Sequence, residues 1–191
     1  MFTSDKLKAI KNQGAIVFKS NFLKDLTPVE RYEFIQLCHR RKYNNGEFIY
    51  HQGDPGTGMY FIEEGTVELS IEDEKIIDTE YSKEDDEFPR FLLEAPESFG
   101  AFTMGYNLRR RSTAHCCTDC IILGFFNPDF DTLKSRHPHI AIKILDVLSM
   151  ITLKQLDETT KALIEHSSEF DAFCQQFKSY HIDYAQDLDS E

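Results

Sequence analysis

The chain has 191 residues, 41% hydrophobic and 28% charged, enough for one ordinary domain with added elements and thin for two. Its 33 acids against 21 bases leave a formal charge of −12, a field that repels nucleic acid and anionic lipid, so an anionic partner has to be met by a local cluster of Arg or Lys. No apolar run approaches the ~20 residues that span a bilayer, the start lacks the apolar core of a secretory signal, and five cysteines, an odd number, read as reduced thiols of a cytoplasmic protein.

Residues 1–21 are a lead-in with a weak amphipathic pattern: Leu7 and Ile10 on one side, a break at Gly14, then Ile16-Val17-Phe18. Thr27-Pro28-Val29-Glu30 is a helix start, with a capping Thr, Pro at the first helical position and Glu three residues after the cap. Phe34, Ile35, Leu37 and Cys38 then form an apolar stripe, which predicts a helix over 27–38.

From Gly46 the period changes to two. Glu47-Phe48-Ile49-Tyr50, Met59-Tyr60-Phe61-Ile62 and Thr66-Val67-Glu68-Leu69-Ser70-Ile71 are short strands separated by the turn clusters Gln52–Gly58 and Glu63-Glu64-Gly65. Residues 72–89 hold nine acids against Lys75 and Lys83 and read as a solvated hairpin excursion. Phe91-Leu92-Leu93 resumes the sheet. After Ser98-Phe99-Gly100 come small and aromatic residues, Arg109-Arg110-Arg111, and a strand-like run from Ser112 to Phe126. Evenly spaced short strands with Gly-rich corners predict a mainly β fold with flanking helices, a β-barrel or β-roll rather than a parallel α/β sheet.

Within the last run, His115-Cys116-Cys117-Thr118-Asp119-Cys120 contains a Cys-x-x-Cys. As one continuous strand it puts Cys117 and Cys120 on opposite faces and Cys116 about 13 Å from Cys120, so neither pair closes on one ion and core thiols are expected. Asn127-Pro128-Asp129 opens another helical start. Ile140, Ile144, Val147, Leu148 and Ile151 then recur at three- and four-residue steps and predict a long helix over about 138–164, with a short acidic helical tail at 165–191. The Gly-rich corner at 53–58 has no Lys-Ser or Lys-Thr behind it and is not a triphosphate-binding P-loop.

Three segments carry a family resemblance: Phe48-Ile49-Tyr50-His51-Gln52-Gly53-Asp54, Met59 to Glu68, and Ala95-Pro96-Glu97-Ser98-Phe99-Gly100. Together with Arg110 they resemble the cyclic nucleotide-binding domain of the catabolite activator protein superfamily, over about residues 22–164, which implies an antiparallel β-roll, a jelly-roll-like double-stranded β-helix, over about 46–126 with a helix on either side. In that family a phosphate-binding cassette begins with Phe-Gly-Glu and ends near Arg-Ser-Ala-Thr. Here those places hold Phe99-Gly100-Ala101 and Arg110-Arg111-Ser112-Thr113. A cyclic phosphodiester carries one negative charge and calls for a guanidinium plus backbone N–H groups at a tight turn.

The resemblance implies a non-catalytic sensor of a cyclic nucleotide, cAMP or cGMP, or of another organic phosphate, without metal or cofactor. Its implied contacts are Phe99, Gly100, Ala101, Arg110, Arg111, Ser112, Thr113 and, from the long helix, Gln155 beside Thr152 and Thr159. The family's ribose-binding Glu is replaced by Ala101. Either Glu97 or Glu94 reaches in from the preceding turn, or the pocket binds cyclic nucleotide weakly, takes a different anion, or takes none and serves as a contact module. A homodimer through the long helix, whose Ile144, Leu148 and Ile151 form an apolar stripe that one small roll leaves uncovered, and an output protein of unknown identity are also expected; the 165–191 stretch is too short and acidic to read DNA. An alternative from another class, a metal enzyme on a cupin-type barrel, would need His51 and Glu63 to converge with further histidines.

Overall fold

The computed structural model describes residues 19–71, 90–101 and 108–178; the lead-in before Lys19, the acidic stretch 72–89, cassette residues 102–107 and the end of the tail lie outside them. The chain forms two compact units, divided between Ile144 and Leu145.

In the first unit a 3-10 turn, Asn21–Leu23, precedes helix α1 (Pro28–Ile35). The predicted capping box is present: Thr27 Oγ1 accepts from the Glu30 N–H, and Glu30 Oε2 accepts from the Thr27 N–H. The helix ends three residues short of the expected 38. Leu37 and Cys38 continue only as turns, their N–H groups donating to Phe34 and Ile35 carbonyls.

Eight strands follow: β1 (His39–Tyr43), β2 (Phe48–Tyr50), β3 (Gly58–Glu64), β4 (Thr66–Ser70), β5 (Phe91–Glu94), β6 (Ser98–Phe99), β7 (Thr113–Cys116) and β8 (Cys120–Phe126). They make two antiparallel four-stranded sheets, ordered β1-β8-β3-β6 and β2-β7-β4-β5. The predicted β-roll is therefore the observed architecture.

Two local readings are corrected. β1 begins the sheet before Gly46, although His39-Arg40-Arg41-Lys42 shows no apolar alternation. It is an edge strand whose ladder to β8 uses backbone groups and asks nothing of its side chains, and all four are exposed. The run from Ser112 to Phe126 is not one strand but two, turning at Cys117-Thr118-Asp119. Thr118 Oγ1 accepts from the Thr66 N–H and Asp119 Oδ1 from the Asn45 N–H, which fixes that turn. Cys116 and Cys120 are therefore buried neighbours in the core and not about 13 Å apart. Burial pushes the Cys116 thiol up to about 12, with Cys120 adding to the shift.

β3 and β8 are covered on both faces, which explains their nearly continuous apolar sequence. Tyr60, Ile62 and Ile122 face the second sheet and pack with Tyr50, Val67, Phe99, Ala114 and Cys116. Their alternates Phe61 and Phe125 meet Phe34 of α1 at ring distances of 5.8 and 4.6 Å, and Phe22 and Phe130 close over the same layer. Helix α2 (Asn127–Arg136) supplies Phe130 and Leu133, and α3 (Pro138–His166) enters this unit through Ile140, Ala141 and Ile144. The α2–α3 joint is tied to α1 by Lys143 Nζ, 2.8 Å from Glu30, with His137 and His139 beside Glu33 and Glu30.

In the second unit α3 continues, and α4 (Glu169–Lys178) follows a turn in which Asp171 accepts from both Ser167 and Ser168. Phe170 and Phe173 of α4 are largely exposed. No helix among the described residues is long and apolar enough to cross a membrane.

Candidate functional site

The candidate site is built where the Gly-rich corner after β2 runs beside the segment entering β7. The Gly53 N–H donates to the Arg110 carbonyl and the Arg110 N–H to the Asp54 carbonyl, both at 2.8 Å. Gly53 makes this corner with φ +85°, a conformation that costs glycine nothing. Asp54 caps it by accepting from the His51 N–H, and Thr113 Oγ1 accepts from the Gln52 N–H at 3.0 Å. Two otherwise irregular segments are thereby held in one register around residue 110.

That register separates the three arginines. Arg109 and Arg111 are exposed, and Arg109 Nη1 donates to the Gly53 carbonyl at 2.8 Å. Arg110 is only 5% exposed. Its Nη1 donates to the Gly100 carbonyl at 3.2 Å and its Nη2 to the Gly58 carbonyl at 2.7 Å. The guanidinium carbon lies 4.3 Å from the Tyr50 ring centre and 5.5 Å from that of Tyr60, within cation–π range. Burial holds both phenols above their ordinary range and the Arg110 charge works against it, so at neutral pH the cation faces neutral rings.

Phe99 is buried and stacked on Tyr60 at 5.2 Å. Gly100 has φ +76°, and a Cβ there would sit 2.6 Å from Arg110 Nη1, so any side chain would push the guanidinium aside. Ala101 is half-buried, as is Ser112, whose hydroxyl bonds the Tyr50 phenol; Thr113 is buried. The structure thus brings Phe99, Gly100, Arg110, Ser112 and Thr113 together. Arg111 faces outward, and Gln155 is an exposed residue of the second unit.

Glu94 and Glu97 are exposed, and Glu97 Oε2 accepts from the Glu94 N–H at 2.9 Å, capping its own turn. His51 and Glu63 do not converge: the ring of His51 stacks on Phe48, and Glu63 accepts from Arg40 Nε at 2.6 Å. The sequence reading missed Tyr50, Tyr60 and the Gly58 carbonyl. No alternation singles the two tyrosines out, since β2 is irregular between Phe48 and Tyr50 and β3 is apolar on both faces, and the carbonyl carries no sequence signal. A cavity of about 500 Å³ lies elsewhere, lined by Arg41, Lys42, Tyr43, Glu47 and Phe48.

Residues 40–137 match the family model described as cyclic nucleotide-binding domain. The chain belongs to that family. The cyclic nucleotide-binding domain here is similar to the cAMP-dependent protein kinase regulatory subunit of Candida albicans, with 27% identity over 154 residues, covering 69% of this chain and 30% of that protein. This chain spans no more than about 30% of the length of the curated relatives it matches. Among solved structures, the catabolite activator protein of Thermus thermophilus matches with a TM-score of 0.60 at 24% identity, over 75% of this chain and 63% of that one. A cyclic nucleotide-binding domain from Methylobacillus flagellatus gives 0.62 at 14% identity, over 84% and 85%. At these identities the structures speak for the fold. No DNA-binding domain is evident among the described residues.

Proposed function

We propose that this chain is a non-catalytic sensor in which a cyclic nucleotide, or a related organic phosphate, docks against the Phe99–Thr113 segment with Arg110 as its main charged contact. The observation that carries this reading is the burial of one guanidinium, 5% exposed, in a chain of net charge −12. A protein with that field has no general attraction for an anion, so the attraction has to be local, and a desolvated cation supplies it. Gly100 lets the backbone come close, and Ser112 and Thr113 flank the arginine with hydroxyls. Arg111, on the solvent side, contributes little. The same reading makes the chain regulatory and its output a partner protein. The exposed apolar residues Met150, Leu153 and Leu156 of α3 support a homodimer through that helix, checked by sedimentation at micromolar concentration; of the stripe expected for that seam, Ile144 is instead buried in the core of the first unit.

A second reading, a domain that keeps the fold as a contact module without nucleotide, is favoured by Ala101. Where the family's acidic residue would accept from the ribose hydroxyl, this chain has a methyl group, and losing such a bond costs ~1.5–3 kcal/mol. Calorimetric titration with cAMP and cGMP separates the two. Under the sensor reading the protein binds one of them, and Ala101→Glu tightens cAMP binding by roughly tenfold or more. If neither the wild type nor Ala101→Glu binds at millimolar ligand, the contact-module reading replaces it.

A further inference from the structure

The outer face of the second sheet, away from the Arg110 corner, brings three metal-ligating side chains together. Glu68 of β4 and His115 of β7 are direct partners in the ladder. Their neighbours Val67, Leu69, Ala114 and Cys116 belong to the core or pack against it, so alternation turns Glu68 and His115 the other way. Cys117, two residues beyond His115, returns to the same face, and its N–H donates to the Thr66 carbonyl at 2.9 Å, which holds it beside β4.

One imidazole nitrogen of His115, the Cys117 sulfur and a Glu68 carboxylate oxygen all lie within 4.8 Å of one another. His115 Nδ1 is 3.9 Å from Glu68 Oε1, and His115 Nε2 is 3.8 Å from Cys117 Sγ. Arg90 stands 3.8 Å from the other carboxylate oxygen, Oε2, and so leaves Oε1 turned toward the ring. All three groups are half-buried, and the Phe48 ring packs against His115 at 5.7 Å, walling one side.

We propose that Glu68, His115 and Cys117 form a binding site for a divalent cation of the zinc class. The donor set decides the class: sulfur and imidazole nitrogen select borderline-soft ions over magnesium or calcium, which take oxygen. Zinc bonds of about 2.0–2.3 Å put tetrahedral ligand atoms roughly 3.3–3.7 Å apart. The 3.9 and 3.8 Å approaches are to opposite nitrogens of one ring, of which an ion takes one, so the His115 ring, the Cys117 thiol and the Glu68 carboxylate have to turn until one nitrogen, the sulfur and one oxygen close from within 4.8 Å to that spacing, while the paired strands β4 and β7 hold the Glu68 and His115 backbones still. Three protein ligands leave the fourth position to water on the solvent side. The ion would clamp β4 to β7, the strand that starts at Thr113 directly after the Arg110 segment, and the −12 field favours its arrival. None of the three ligands belongs to the Arg110 corner.

The test is a titration of the reduced, chelator-treated protein with Co²⁺ followed by absorbance. One equivalent is expected to produce a sulfur-to-cobalt charge-transfer band and the visible bands of a tetrahedral ion, and Zn²⁺ should bleach both. Cys117→Ser should remove the charge-transfer band, and His115→Ala and Glu68→Gln should each weaken binding by more than roughly tenfold. Cys174→Ser, in the second unit, should change nothing. Circular dichroism of each variant establishes that it is folded. No band at excess cobalt, or a band that survives in folded Cys117→Ser protein, would overturn the proposal.

Discussion

His39-Arg40-Arg41-Lys42 on β1 and Arg109-Arg110-Arg111 ahead of β7 are two basic runs in an acidic chain, and they are built in opposite ways. On β1 the side chains stay in water: Arg40 reaches Glu63 at 2.6 Å, and Arg41 lies 5.8 Å from the Phe126 ring. Ahead of β7 the middle arginine is withdrawn from solvent and given two carbonyls and two tyrosine faces in place of water. A wet arginine on a sheet edge costs nothing to keep and offers an anion little, because water and salt screen it. A buried one has to be compensated by every group around it, and its field is correspondingly stronger. Burial, not the number of positive charges, distinguishes the candidate site from the rest of the basic surface.

Three substitutions probe that contrast. Arg110→Ala should have the largest effect on stability, a loss of about 2–4 kcal/mol in denaturant titration, because it strands the Gly58 and Gly100 carbonyls and opens a gap between Tyr50 and Tyr60. A gain in stability would mean that the desolvated charge costs more than its contacts return, and the contrast with β1 would then be one of strain. Lys143 is the intermediate case, a cation on a carboxylate between helices. It is the chief cause that lowers the Glu30 carboxyl from 4.5 to about 2. A carboxyl lowered on folding stabilises the protein above its unfolded value and ceases to do so as pH falls through the folded one. The stability advantage of wild type over Glu30→Gln should therefore be full at neutral pH and shrink steadily from about 4.5 toward 2. An advantage that ignores pH over that span would contradict the pair. Arg41→Ala should be the smallest effect, within about 0.5 kcal/mol by thermal melting.

The same contrast explains what could be read from the residues alone. The strands from Phe48 to Ser70 were legible because short apolar runs alternate with Gly-rich turn clusters, and in β4 Val67 and Leu69 face the core while Glu68 between them does not. β1 was not, because an edge strand held by backbone bonds leaves its side chains unconstrained. The turn at Cys117-Thr118-Asp119 was hidden because it lacks the Gly, Pro or Asn that marks most hairpins, and is fixed by the Thr118 and Asp119 side chains acting on Thr66 and Asn45. Missing that turn kept Cys116 and Cys120 apart on paper. Arg110 stood out from its neighbours only by resemblance; its burial depends on the Gly53–Arg110 backbone pairing, which no local pattern announces. The grouping of Glu68, His115 and Cys117 needed the β4–β7 register, a long-range fact.

The most direct test of the central claim, that one buried guanidinium anchors an anionic ligand, is calorimetric titration of wild type, Arg109→Ala and Arg110→Ala with cAMP under identical salt. The predicted result is binding by wild type, retention within roughly threefold by Arg109→Ala, on the scale of an exposed charge, and loss of measurable binding by folded Arg110→Ala. Wild-type affinity in Arg110→Ala, or equal losses in both variants, would contradict it.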